Sequence, residues 1–222
     1  MQAKKRTAKR AWHVGLTKEG IEAEALAEIE AHGAGDFSLR RLAVRMGCEP
    51  MSLYHHFPSK GHLMDALVDR VMGGLQAPPR TMPWRARIAA LARDFRAMAH
   101  RHPAFFHYLA LHRLNTPGGL QWLNGTLEAF GDAGLGEEEA ARLFRIFGYY
   151  IIGAALDETS GYAKGPSAQE PVTADVIGRA YPAVAAAGPY FAPNQFDTTF
   201  EAGLNILLDG MAARLPVKRA RP

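Results

Sequence analysis

Apolar residues recur three and four positions apart along most of this chain, and alternating apolar–polar runs are nearly absent, so the pattern predicts an all-α protein. Thr17 stands where an N-cap is needed, with Glu19 and Glu22 in the first turns that follow. Ile21, Ala25, Leu26 and Ile29 form the apolar face of that helix, which reaches residue 31 or so before His32-Gly33-Ala34-Gly35 stops it. Ser38 caps a second, short helix from Leu39 to Met46, with Leu39, Leu42, Ala43 and Met46 apolar and Gly47 closing it. Pro50 opens a third helix, since a first-turn proline lacks only an N–H that has no partner there anyway. Pro58 disfavours helical geometry in Phe57 and ends it. Ser59 caps a fourth helix over residues 60–72, with Leu63, Leu67, Val68 and Val71 inward.

Gly73-Gly74 and Ala77-Pro78-Pro79 break the periodicity and predict a boundary between a front domain, residues 17–76, and a back domain, residues 77–222. The back domain reads as helices over residues 84–102, 105–114, 120–131, 137–158, 172–187 and 196–215. Pro103, Asn115-Thr116-Pro117-Gly118-Gly119, Gly188-Pro189 and Pro193 separate them, and residues 160–171, rich in Gly, Pro, Ser and Gln, predict a mobile loop.

The second and third helices make sense as one unit. Ala43, Gly47 and Leu53 supply a small residue at a helix crossing, a glycine for the turn and a buried aliphatic that locks the angle, the parts a helix-turn-helix needs. The third helix is roughly 10 Å long, short for burying a core face but matched to a major groove about 12 Å wide. Its outward residues are Met51, Ser52, Tyr54, His55 and His56, while Leu53 and Phe57 face back. Hydroxyls and imidazoles bond to phosphates and base edges, and Met51 suits a thymine methyl. Adjacent helical residues point roughly 100° apart, so His55 and His56 do not chelate one ion, which on a helix takes positions i and i+4. Nor is there a nearby acid–nucleophile pair to orient either imidazole for catalysis.

On FSLRRLAVRMG (37–47), MSLYHHFPSK (51–60) and LMDAL (63–67), residues 17–67 resemble the DNA-binding domain of the TetR family of bacterial transcriptional repressors. The most specific element is Leu-Tyr-x-His-Phe with a lysine shortly after the proline. The back domain is similar to the tetracycline-repressor-like branch through RHPAF (101–105) and FEAGLNILLDGMAARL (200–215). The resemblance implies an N-terminal three-helix helix-turn-helix domain and a larger C-terminal helical domain for ligand binding and dimerisation. It implies that Tyr54 and Lys60 bind phosphates, Lys60 aided by the positive N-terminus of its helix. Arg40, Met51, Ser52 and His55 become the base-edge group, and His56 a half-buried residue that positions or touches the backbone. It further implies a homodimer built on helices 137–158 and 196–215, whose Gly148, Gly153, Ala154, Gly203 and Gly210 allow close approach, reading a palindromic operator in double-stranded DNA.

An apolar pocket with few polar groups is the usual form of a small-molecule site. Phe95, His107, Tyr108, His112, Trp122, Phe147 and Tyr150 are the candidate ligand-binding residues, for a hydrophobic or aromatic inducer. His107 and His112 are a poor chelating pair with no Cys or acid close by, so neither a metal nor a cofactor is expected. The tetracycline branch holds its drug as a metal complex through a histidine, which His112 before Asn115-Thr116-Pro117 echoes. Gly73-Gly74-Leu75-Gln76 stands where that branch has another polar drug contact, so tetracycline is not the expected ligand.

Composition adds bounds. The chain of 222 residues is 48% hydrophobic, enough for a core, yet has no run long enough to span a membrane. A single cysteine, Cys48, excludes an internal disulfide and points to a reducing compartment, the cytoplasm. Net charge is +4, unevenly spread. Lys4, Lys5, Arg6, Lys9, Arg10 and Lys18 stand in residues 1–18 without an acid, whereas residues 81–214 carry 11 basic and 13 acidic side chains. A basic arm over residues 1–16 beside a DNA-binding domain fits the phosphate backbone or a minor groove. An enzyme is disfavoured by the lack of a glycine-rich phosphate loop, a carboxylate pair or a partnered nucleophile. A redox sensor using Cys48 and an activator of the same fold are the alternatives.

Overall fold

The computed structural model describes residues 16–160 and 169–215, which are helices and short connections with no strand among them. The basic residues 4–10, residues 161–168 of the expected loop, and Lys218, Arg219 and Arg221 lie outside the described residues. The chain divides into two compact units between Leu67 and Val68, inside one continuous helix.

The first unit holds α1 (Lys18–His32), α2 (Leu39–Met46), α3 (Pro50–His56) and the first turns of α4 (Lys60–Gly73). The Thr17 hydroxyl accepts the Gly20 N–H at 3.1 Å, and Ser38 accepts that of Arg41 at 3.3 Å, so both predicted caps are made. Ile21, Ala25, Ile29, Leu42, Ala43, Leu53, Leu63 and Leu67 are fully buried, and Phe57 is 4% exposed. Leu26 is only half-buried. Glu28 takes a place on the apolar face of α1 instead.

The second unit holds the end of α4, then α5 (Trp84–Arg101), α6 (Pro103–Leu109), α7 (Pro117–Asp132), α8 (Glu137–Ser160), α9 (Ala174–Ala180), α10 (Pro182–Ala187) and α11 (Phe196–Ala212). Helix α5 packs against α6, α7, α8 and α11 and so forms the axis of this unit. Its inward face is Ile88, Leu91, Ala92, Phe95 and Met98, all buried. Charged ties supplement the packing. The buried Glu158 carboxylate meets Arg96 Nε and His100 Nε2, each at 2.6 Å, and Arg96 also reaches Asp197 at 2.8 Å, joining α5, α8 and α11. Burial of charge is tolerable here because the carboxylate is paired on both sides.

Three helix boundaries differ from the periodicity reading. The helix expected over 105–114 is α6, which starts at Pro103 and ends at Leu109. The helix expected from residue 120 is α7, which begins at Pro117 with Thr116 as its cap; Pro117-Gly118-Gly119 opens a helix rather than closing one. The single helix expected over 172–187 is split into α9 and α10, because Pro182 forces Tyr181 out of helical geometry, to φ −135°.

Candidate functional site

The turn between α2 and α3 is set by Gly47, at φ 66° and ψ 31°, a left-handed conformation that costs a non-glycine residue energy. It lets the Gly47 and Cys48 N–H groups return to the carbonyls of Val44 and Ala43, at 3.2 and 3.0 Å. Pro50 then occupies the first turn of α3, and Glu49 before it gives no side-chain cap.

The two faces of α3 are unlike. Leu53 is fully buried and Phe57, just past the helix end, nearly so, which anchors the segment. Met51 is 64% exposed and Tyr54 40% exposed, with His55 also exposed and Ser52 and His56 half-buried. The structure therefore brings Met51, Ser52, Tyr54, His55 and His56 onto one short helix with the two bulkiest groups outward. Arg40 is exposed on α2. Lys60 is exposed at the start of α4 and is engaged by its own unit. Its ammonium donates to the Phe37 carbonyl at 2.7 Å and to that of Ala34 at 3.4 Å, and stands 5.6 Å from the Phe37 ring centre. A lysine has three donors, so this clamp on the loop before α2 leaves one N–H for a phosphate.

Sequence reasoning missed what holds α2 in place. The Glu28 carboxylate, 7% exposed, receives Arg41 at 3.1 Å and Arg45 at 3.2 Å, with His32 at 3.3 Å, and Arg45 also reaches Glu24 at 2.9 Å. These pairs brace α1 against α2, and Arg40 is the arginine of α2 that takes no part in them. The signal was available: Glu28 stands seven residues after Ile21 and three after Ala25, where an apolar residue belongs. Cys48 is half-buried, and burial pushes its thiol above the ordinary value despite a backbone hydrogen bond that works the other way. A thiol held protonated is a poor redox nucleophile.

In the second unit the seven ligand candidates fall into separate groups. Phe95 and Trp122 pack together with ring centres 5.3 Å apart, and Phe106 lies 5.7 Å from Phe95. Tyr108 lies beside His112 at 5.0 Å, Phe147 packs on Phe130 at 5.9 Å, and His107 is exposed. Tyr150 turns to α11: its hydroxyl donates to the Phe200 carbonyl at 2.5 Å, its ring stacks on Phe200, and burial pushes its phenol up. Gly203 exists for that contact, since a Cβ there would meet the Tyr150 hydroxyl at 2.7 Å, so its small size serves packing within the chain. A cavity of about 20 Å³ is lined by Met72, Leu75, Leu91 and Trp122 among others. Of the seven candidates it includes Trp122 alone.

Comparison with known proteins places these features in a family. The profile "Bacterial regulatory proteins, tetR family" matches residues 21–67, and "Tetracyclin repressor-like, C-terminal domain" matches residues 77–215. The chain is 28% identical over 218 residues to the HTH-type transcriptional repressor DrrR1 of Streptomyces coeruleorubidus, covering 92% of this chain and 80% of that protein. It is 28% identical over 198 residues to the class A tetracycline repressor from transposon 1721 in Escherichia coli, covering 84% and 86%. The crystal structure of ActR from Streptomyces coelicolor in complex with (S)-DNPA superposes with a TM-score of 0.71 at 25% identity, covering 90% of this chain and 99% of that one.

Proposed function

The chain belongs to the TetR family of bacterial transcriptional regulators, and from that premise we propose that it is a ligand-responsive repressor that grips a palindromic DNA operator as a homodimer and lets go when a small hydrophobic or aromatic inducer binds. The observation that carries this reading is α3, a two-turn helix anchored by Leu53 and Phe57 with Met51 and Tyr54 turned to solvent. Arg40, Met51, Ser52 and His55 are its base-reading group, Tyr54 and the remaining N–H of Lys60 its phosphate contacts, and His56 its half-buried support. The basic arm adds charge along the duplex, and a DNA partner puts the protein's work in the cytoplasm. No catalytic role is proposed for any residue.

The second copy is supported by apolar side chains left exposed on the two helices expected to pair. Ile146 and Tyr149 on α8 are 43% and 67% exposed, and Ile206 on α11 is 73% exposed. Added Cβ atoms at Gly153 and Gly210 would meet nothing within 4 Å in this chain, which leaves room for a neighbour. The inducer reading is supported by a relative solved with a bound small molecule. The inducer acts only through unequal affinity for two states of the protein, one with its reader helices spaced for the operator and one without. Helix α5 and the end of α4 are the elements that transmit it.

A gel shift with DNA flanking the protein's own coding region tests the whole reading. A complex of two chains per duplex, weakened by added salt, is expected. A stoichiometry of one chain, or no complex at low ionic strength, contradicts it.

A further inference from the structure

Helix α2 is tied to its neighbours at both ends. At its end the short turn through Gly47 and Cys48 leads into α3. At its start the tie is a side chain from α4. The Lys60 ammonium donates to the Phe37 carbonyl at 2.7 Å, 23 residues away in sequence, and to the Ala34 carbonyl at 3.4 Å. Phe37 is 4% exposed and its ring centre is 5.6 Å from the same nitrogen, so the ammonium sits by a ring that packing already holds still. Neither carbonyl belongs to a helix, and backbone acceptors outside regular structure need a partner from a side chain or from water.

Phe37 leads directly into the cap of α2. Ser38 accepts the Arg41 N–H at 3.3 Å through its hydroxyl and the Leu42 N–H at 3.0 Å through its carbonyl, so residues 37 and 38 fix where the first turn of α2 begins. Arg40 lies in that turn, exposed and outside the brace that Glu28 makes with Arg41 and Arg45. The brace holds the later turn of α2; the Lys60 clamp holds its start. On the other side, Phe57-Pro58-Ser59 is all that separates Lys60 from the end of α3, and this link is stiff. The Phe57 N–H returns to the Leu53 carbonyl at 2.9 Å, the Phe57 ring is buried, and Pro58 has a fixed φ.

We propose that Lys60 is a positioning residue for base reading: it closes α2, the Gly47 turn, α3 and the Pro58 link into a ring, and so holds Arg40 in a set place relative to Met51 and Tyr54. The inference rests on the reading of Arg40 and α3 as the DNA-contacting group, and gives Lys60 a task distinct from a phosphate contact. Phosphates are the same at every base pair, so a contact to them carries no sequence information. A lysine with that task alone, once removed, weakens binding to all duplexes alike. A lysine that keeps Arg40 in register with α3 acts on the difference between duplexes.

In the test, the unsubstituted protein selects duplexes from a random-sequence pool. Affinities for the selected duplex and for a scrambled one of the same composition are then measured by anisotropy over a range of salt concentrations. Lys60→Met, which keeps the aliphatic stem and removes the ammonium, is expected to lower the ratio of the two affinities roughly 5- to 150-fold, the worth of one good base contact. In an Arg40→Ala background, where that contact is already gone, the same substitution is expected to leave the ratio where it stands, because residues acting as a unit are not additive. A lost phosphate contact is read separately, as a salt slope shallower by about 0.9, and moves neither ratio.

A ratio unchanged by Lys60→Met overturns the proposal, and so does a fall of equal size with and without Arg40. Lower thermal stability with an unchanged ratio makes the clamp a folding contact alone and overturns it too. Lys60→Arg keeps the charge, but its planar fork does not reproduce a single ammonium beside the Phe37 ring. It is expected to keep the salt slope and still lose part of the ratio, and its ratio decides should Lys60→Met be unfolded by circular dichroism. If the unsubstituted protein selects no duplex, the DNA-binding reading fails and the proposal falls with it; a selected duplex with an unchanged ratio sinks the proposal alone.

Discussion

Helices α3 and α7 both carry a proline in the first turn, and they use the same beginning for opposite ends. Helix α3 starts without a side-chain cap, is anchored by Leu53 and Phe57, and turns Met51, Tyr54 and His55 outward. Helix α7 starts under two caps, the Thr116 hydroxyl on Gly119 N–H at 3.2 Å and the Asp69 carboxylate on Gly118 N–H at 2.6 Å, and buries both of those glycines. One helix start turns its large side chains to solvent. The other is built to meet the same chain. Proline in a first turn says only that a helix begins; what surrounds it decides whether the start is a surface or a joint.

The comparison sharpens first at the anchor of α3. Leu53→Ala empties a fully buried site and is expected to cost the first unit about 2–5 kcal/mol, seen as a lower denaturant midpoint. Tyr54→Ala, one residue on and exposed, is expected to stay within about 0.5 kcal/mol. Comparable losses would mean that α3 is a core helix and not a presented one.

Next comes the face α3 shares with α2. Arg40→Ala is expected to weaken specific DNA binding by about 1–3 kcal/mol, the worth of a good base contact, with stability unchanged. A large stability loss would place Arg40 with Arg41 and Arg45 in the brace around Glu28.

At α7, Thr116→Ala removes one of the two caps and is expected to lower stability by about 1 kcal/mol, read by thermal melting. No change would mean that the Asp69 carboxylate alone carries the helix start.

The smallest effect concerns Cys48, in the turn before α3. Because burial raises its thiol, the thiolate fraction at pH 8 is lower than that of an ordinary cysteine, and alkylation by iodoacetamide is expected to be slower in the folded protein than in urea. The gap narrows as pH rises past the folded value. Faster alkylation in the folded state would revive the redox reading.

The α3 side of the comparison was legible in the sequence because its signals are local. Ser38, Gly47, Pro50 and Pro58 each act on the residues beside them, and Leu53 and Phe57 stand at helical spacing. The α7 side was not. Pro117-Gly118-Gly119 carries the same letters as a loop, and the reason for Gly118 is an approach by Asp69 and Gly73, far away in sequence. Tyr150 was read as a pocket residue for a similar reason, since its partners, Phe200 and Gly203, lie on α11. Lys60 was expected to bind phosphate, and nothing near it in sequence announced the carbonyls of Ala34 and Phe37. Glu28 was the exception, a tertiary contact that the apolar periodicity of α1 did mark.

The most direct test of the central claim, that α3 enters DNA, is photo-cross-linking from two exposed tyrosines. Tyr54→p-azidophenylalanine places the reactive group on α3, and Tyr190→p-azidophenylalanine places it in the turn between α10 and α11, where the side chain is more exposed still. Irradiated with a bound duplex, the first is predicted to cross-link to DNA and the second is not; cross-links from position 190 alone, or from neither, would contradict the account.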